Sequence, residues 1–159
     1  MSDHEQILIS VEARHAEEIL QGRKLVELRR RTMNVRAGAT IWIYAKRPVG
    51  SIVGCTTVAA VRVYAPSTLW RMFGAASGIS RSEFFDYFAG IARGTALELT
   101  NSRRLCVSVS LASLRRFSGS FQPPQFFLRL RRGAPILAAI SQADAQIVAI
   151  PEYSLLLQS

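Results

Sequence analysis

The sequence predicts an α+β domain, a small mixed β-barrel with short flanking helices. Short β-prone runs outnumber the amphipathic segments and are scattered between them, which favours one curved sheet with appended helices. The longest of these runs, Ser51 to Tyr64, is rich in β-branched residues and holds Gly54 as a bulge or bend. A chain of 159 residues with a hydrophobic fraction of 49% is long enough to bury one core.

The elements follow in order. Ile7 to Val11 reads as a strand. Ala13, Ala16 and Leu20 fall on one face of a short helix, and Gly22 sits where a left-handed C-cap is expected. Lys24 to Arg31 reads as the second strand. Strict alternation puts Val26 and Leu28 on one face and Glu27, Arg29 and Arg31 on the other. Lys24 is out of phase with Glu27, so it reaches the same side only from the start of the strand or through a bulge. A turn at Ala37-Gly38-Ala39 leads into the strand Thr40 to Ala45, in which Trp42 and Tyr44 share a face. Lys46-Arg47-Pro48-Val49-Gly50 is a basic loop.

Beyond the long strand, Pro66 opens a short helix to Phe73. Ser80 caps a second helix to Phe88, with Glu83 three residues on as in a capping box and Phe84, Phe85 and Phe88 as its core face. Gly94 to Leu99 and Leu105 to Leu111 read as two strands around the polar turn Asn101-Ser102-Arg103-Arg104. Ser113 to Phe117 is a helical turn, and Phe121-Gln122-Pro123-Pro124-Gln125 enters a last helix ending near Leu130. Ile136 to Ile140 and Ile147 to Ile150 are apolar and fit strand or helix.

Charge narrows the partners. Lys and Arg number 20 against 11 Asp and Glu, a net charge of +9. A basic domain of this size attracts polyanions, nucleic acid first among them. Cys55 and Cys106 lie in strand-like runs without Cys or His at metal spacing, so no metal site and two buried thiols in a reducing cytoplasm are expected. No Walker, dinucleotide or G-x-S-x-G pattern is present, and no cofactor is expected. No apolar run approaches the ~20 residues that span a bilayer. The start of the chain lacks a signal-peptide pattern, so a cytoplasmic protein without a membrane partner is expected.

The stretch Gly22-Arg23-Lys24-Leu25-Val26-Glu27-Leu28-Arg29 places Gly, Lys, Glu and Arg at the spacing G-x-K-x-x-E-x-R. Charged residues avoid sheet interiors unless they are paired or face a cleft, so this segment points to a lined cleft. The motif resembles the signature of the ASCH domain, a member of the PUA-like β-barrel superfamily. Glu17 to Leu20 resembles the helix that precedes it in the family, and Ile43 to Ala45, Pro48 to Gly50 and Val53-Gly54 resemble its next strands. Gly78 to Phe88 and the Pro123-Pro124-Gln125 segment are similar to bacterial members described as transcriptional regulators. The likeness covers about residues 6–130. The expected division is therefore an ASCH domain over 1–130 and a C-terminal extension over 131–159 packed on the same domain.

The resemblance implies a PUA-like barrel with a charged cleft that binds RNA, a nucleotide or a modified nucleoside, in a regulatory role. It also implies a second reading, since some family members are amidohydrolases of N4-acetylcytidine or ribonucleases. Lys24 matches the amidohydrolase lysine, but Glu27 stands at the position of its threonine and Ser77 near that of its carboxylate. If the protein is an enzyme, Lys24 and Glu27 are its catalytic candidates.

Taken with the resemblance, the residues give an expected ligand set of Lys24, Glu27, Arg29, Arg30, Tyr44, Lys46, Arg47 and Gln125. Lys24 holds a phosphate or acts as a base if buried, or else is a snorkelling surface lysine. Glu27 and Arg29 form a structural ion pair or orient a ligand. Arg30 and Arg31 contact phosphate or solvent. Tyr44 beside Lys46 and Arg47 suits base stacking with phosphate neutralisation, or is a core tyrosine. Gln125, fixed by two prolines, reads a base edge or begins a helix. His4 and His15 are isolated histidines with surface roles. A protein partner docking on Ile147 to Leu157 is a third possibility, against packing of that segment on the barrel.

Overall fold

The computed structural model describes residues 4–143. Its elements are β1 (Gln6–Val11), α1 (Ala13–Leu20), β2 (Val26–Arg29), β3 (Thr40–Ala45), β4 (Ser51–Tyr64), α2 (Pro66–Phe73), α3 (Arg81–Tyr87), β5 (Gly94–Ser110), α4 (Leu111–Phe117) and β6 (Leu128–Arg129). Residues 135–143 are helical. The strands form one six-stranded sheet in the order β2-β5-β4-β3-β1-β6. β1 and β3 run parallel and the other pairs are antiparallel. The sheet curls into a half-barrel with short helices around it, the α+β architecture that the sequence predicts.

Local chemistry accounts for the helix limits. Gly22 adopts φ +76, and the amides of Arg23 and Lys24 both donate to the Glu18 carbonyl at 2.9 Å, which ends α1 in a left-handed turn. Pro66 lies in the first turn of α2. Ser80 Oγ accepts from the Glu83 amide at 3.1 Å and caps α3. The Glu83 carboxylate does not reach back to complete the box; it accepts from Arg14 at 2.8 Å and ties α3 to α1.

Three buried clusters fill the fold. Ile7, Ile9, Ile41 and Ile43 pack with Ile19 of α1. On the alternate residues, Leu8, Trp42 and Tyr44 pack with Leu114 of α4 and with Ile136 and Ile140. Val26, Leu28 and Ala96 pack with Leu69 of α2 and with Phe84 and Phe88 of α3. Burial of this kind is worth about 25 cal/mol per Å² of apolar surface and fixes the strand phases.

Several expectations are corrected. The second strand is shorter, Val26–Arg29 rather than Lys24 to Arg31. The two strands predicted around Asn101 are one continuous β5. Asn101 takes φ +53, and the chain bends without reversing because β4 is long enough to pair with both halves through register shifts. No helix forms over 121–130. Pro123 and Pro124 have no amide to donate, and the chain continues to β6, where Leu128 and Arg129 pair with Leu8 and Ile7 on the open edge of β1. Cys55 is buried but Cys106 is exposed on β5. The segments 147–150 and 147–157 lie outside the described residues. Among the described residues, no helix is long and apolar enough to cross a membrane.

Candidate functional site

Strands β2 and β1 lie near opposite edges of the sheet, and its curl brings them face to face across a seam. Arg29 spans that seam. Its Nη1 donates to the Phe126 carbonyl at 3.1 Å and its Nη2 to the Ser10 carbonyl at 3.4 Å. Its Nε lies 3.2 Å from Glu27 Oε1, close enough for a charge–charge contact though not aligned as a hydrogen bond. Glu27 and Arg29 are therefore a buried ion pair on one face of β2, opposite Val26 and Leu28 in the core, as alternation requires.

Lys24 joins them without a bulge. The turn at Gly22 and a bond from the Leu25 amide to the Ala76 carbonyl at 2.9 Å set the chain so that Leu25 faces outward and Lys24 inward. Lys24 is only 3% exposed, and its ammonium donates to the Ser77 carbonyl. Burial pushes its pKa below the usual lysine range, Glu27 opposes that shift, and Arg14 and Arg29 add to it. Ser77 is fully buried, and its hydroxyl donates to the Gly74 carbonyl at 2.7 Å.

These three residues form the floor of a cleft of about 380 Å³, with Lys46 and Gln125 at its exposed rim. The sequence reading missed four of its polar walls, Ser10, Glu12, His15 and Tyr87. His15 is the sharpest correction. It is half-buried beside Lys24 and Glu27, and desolvation, with the charges of Lys24 and Arg14, lowers its pKa below 6.5. A neutral imidazole in an anion-attracting cleft is a proton acceptor. Tyr87 Oη donates to the Leu28 carbonyl and accepts from the Arg30 amide, both at 3.2 Å, and burial raises its pKa. The Ser10 hydroxyl is buried with no hydrogen-bond partner among the described residues. No local signal marks His15: it reaches the cleft because Ala16 and Ile19 pack α1 into the core.

Two recesses open off the cleft. One, of about 540 Å³, is lined by Tyr44, Lys46, Arg47, Arg115 and the Pro123-Pro124-Gln125 segment. Tyr44 is 3% exposed and packs with Trp42 and Ile52 in the core, so its ring face is not a stacking platform. Lys46 Nζ lies 3.9 Å from Glu12 Oε1. The other recess, of about 240 Å³, is lined by Arg29, Arg30, Arg31, Tyr87, Gln125 and Phe126. The structure thus gathers all eight residues singled out from the sequence around one connected depression. Gln125 is common to all three compartments and belongs to an extended segment rather than to a helix.

The ASCH domain model matches residues 9–107. The ASCH domain-containing ribonuclease of Zymomonas mobilis is 35% identical over 130 residues, which span 82% of this chain and 87% of that protein. A crystal structure of ASCH from Zymomonas mobilis has a TM-score of 0.81 at 32% identity, covering 86% of this chain and 94% of that one. The human THYN1 protein, solved in complex with DNA containing 5-methylcytosine, shares the fold at a TM-score of 0.54 and 12% identity, covering 88% of this chain and 98% of that one. On the motif, the fold and these likenesses together, the chain belongs to the ASCH domain family.

Proposed function

We propose that the protein binds RNA in this cleft and cleaves it there. The observation that carries this reading is the buried Lys24–Glu27–Arg29 cluster at the floor of a cleft whose exposed surroundings add Lys46, Arg47 and Arg115. Cationic side chains that are held in place can neutralise a phosphodiester, and a neutral His15 together with the carboxylates Glu12 and Glu27 offers proton acceptors in the same space. The likeness to a ribonuclease, which extends along most of both chains, supports turnover as well as binding.

A second reading, an RNA-binding module without turnover, has an observation of its own. All three floor charges are already engaged, Lys24 on Ser77, Arg29 on Phe126 and Ser10, and Glu27 on Arg29. Such a floor can serve as a fixed electrostatic surface.

The test is binding and product analysis on labelled single-stranded RNA with wild type and Lys24→Ala, at low and high salt. Neutralising about four phosphates on a single strand gives a slope of log K against log salt of roughly −3. Shortened RNA with wild type and none with Lys24→Ala supports the nuclease. Binding with intact RNA supports the module. An affinity that ignores both salt and the substitution overturns both readings.

A further inference from the structure

We propose that the recess formed by Arg30, Arg31, Tyr87 and Phe126 is a second nucleotide subsite, which takes the nucleotide flanking the one in the central cleft. The inference rests on the RNA reading above. The recess is continuous with the cleft, because Arg29, Tyr87 and Gln125 line both compartments. A chain leaving the cleft on this side meets it next.

Its chemistry differs from that of the cleft. Glu12 and Glu27 line the cleft, whereas no acidic residue among the described residues lines the recess. Of its three arginines, Arg29 is compensated by Glu27, so the charges of Arg30 and Arg31 remain for an anion. Arg30 is held in advance: its Nη1 donates to the carbonyls of Tyr87 and Ala89. A fixed guanidinium loses little freedom on meeting a phosphate, which raises its contribution to binding. Arg31 lies 5.8 Å over the Phe126 ring, a guanidinium–aromatic stack on an exposed arginine. Phosphate neutralisation beside a stacking plane is what single-stranded RNA requires, and it tolerates any base.

A lone phosphate site and a phosphate-plus-base subsite are separated by ligand length. The probes are adenosine 3′-monophosphate, which fills the central cleft alone, and a short single-stranded RNA that reaches beyond it. The variants are Arg31→Ala, Arg31→Lys and Phe126→Leu, each first shown to unfold like wild type. In the expected result, Arg31→Ala and Phe126→Leu weaken the RNA about tenfold and leave the mononucleotide unchanged. Arg31→Lys, which keeps the charge and loses the flat stacking group, falls between. Equal weakening of both ligands, or no change for either, overturns the subsite. If Lys24→Ala loses RNA while Arg31→Ala keeps it, the RNA reading stands and this inference fails. If wild type binds neither probe, both fail together.

Discussion

Replacing Arg29 with alanine should unlatch the barrel. Arg29 is 8% exposed, and its guanidinium holds the seam by donating to the Phe126 carbonyl at 3.1 Å and the Ser10 carbonyl at 3.4 Å, while facing Glu27 at 3.2 Å. Removing one partner of a buried ion pair costs about 3–5 kcal/mol, because the other charge stays buried and uncompensated. The low end applies here: Lys24 lies in the same cleft, the cleft's rim at Lys46 and Gln125 is exposed, and the 3.4 Å contact is weak. About 3 kcal/mol, at about 2–4 °C per kcal/mol for a chain of this size, lowers Tm by about 6–12 °C. Urea and thermal unfolding read that loss. Hydrogen exchange reads its location, as faster exchange over residues 126–130 with β4 and β5 protected. Arg29→Lys keeps the charge but not the fork and should lose roughly half as much. Arg29→Met with Glu27→Gln should recover much of the stability, since neither charge is then left alone. An Arg29→Ala protein within about 0.5 kcal/mol of wild type, the range of an ordinary surface substitution, would refute the reasoning.

Further outcomes follow from the same geometry. The His15 imidazole should titrate below 6.5 in an NMR titration, and Lys24→Gln should move its midpoint upward, because the ammonium is one cause of the depression. Lys24 has a lowered folded-state pKa, so its burial penalty is full below that pKa and disappears as pH rises from there to 10.5; wild type should gain stability over that window relative to Lys24→Met, as measured by urea unfolding at several pH values. Gly54→Ala should destabilise by about 1–3 kcal/mol, since a Cβ there would stand 2.4 Å from the Arg103 carbonyl and 2.5 Å from Leu20, and chemical unfolding measures it. Ser80→Ala removes the cap of α3 and should cost about 1 kcal/mol in the same assay.

What could be read from the chain was local. The Gly22 cap, Pro66 in the first turn of α2, the Ser80 cap and the alternation of Glu27 and Arg29 against Val26 and Leu28 each depend on neighbours a few residues away. Lys24 was traceable to the same side because one turn and one strand determine its direction. What could not be read depended on distant partners. β6 is a strand only because β1, some 120 positions earlier, offers an unpaired edge, and nothing near Leu128 signals that. The continuity of β5 depends on the length of β4. His15 and Tyr87 enter the cleft from α1 and α3, and Glu12 from the N-cap of α1; the placement of both helices is set by core residues on their other faces. Tyr44 kept its stacking interpretation in the sequence because burial of an aromatic on a strand is decided by what packs over it, here α4 and the helix over 135–143.

The seam also sets when the site can exist. β2 and β1 face each other across it, and Phe126 and Gln125, which close it, lie beyond the 9–107 span that the family model matches. Domains begin to fold from the N-terminal side during synthesis. A ribosome-bound chain can pair β3, β4 and β5 and still present an open trough, with the Arg29 fork unmatched until residue 126 emerges. The pocket is therefore completed only after residue 126 has emerged, well after the strands that carry its floor can pair.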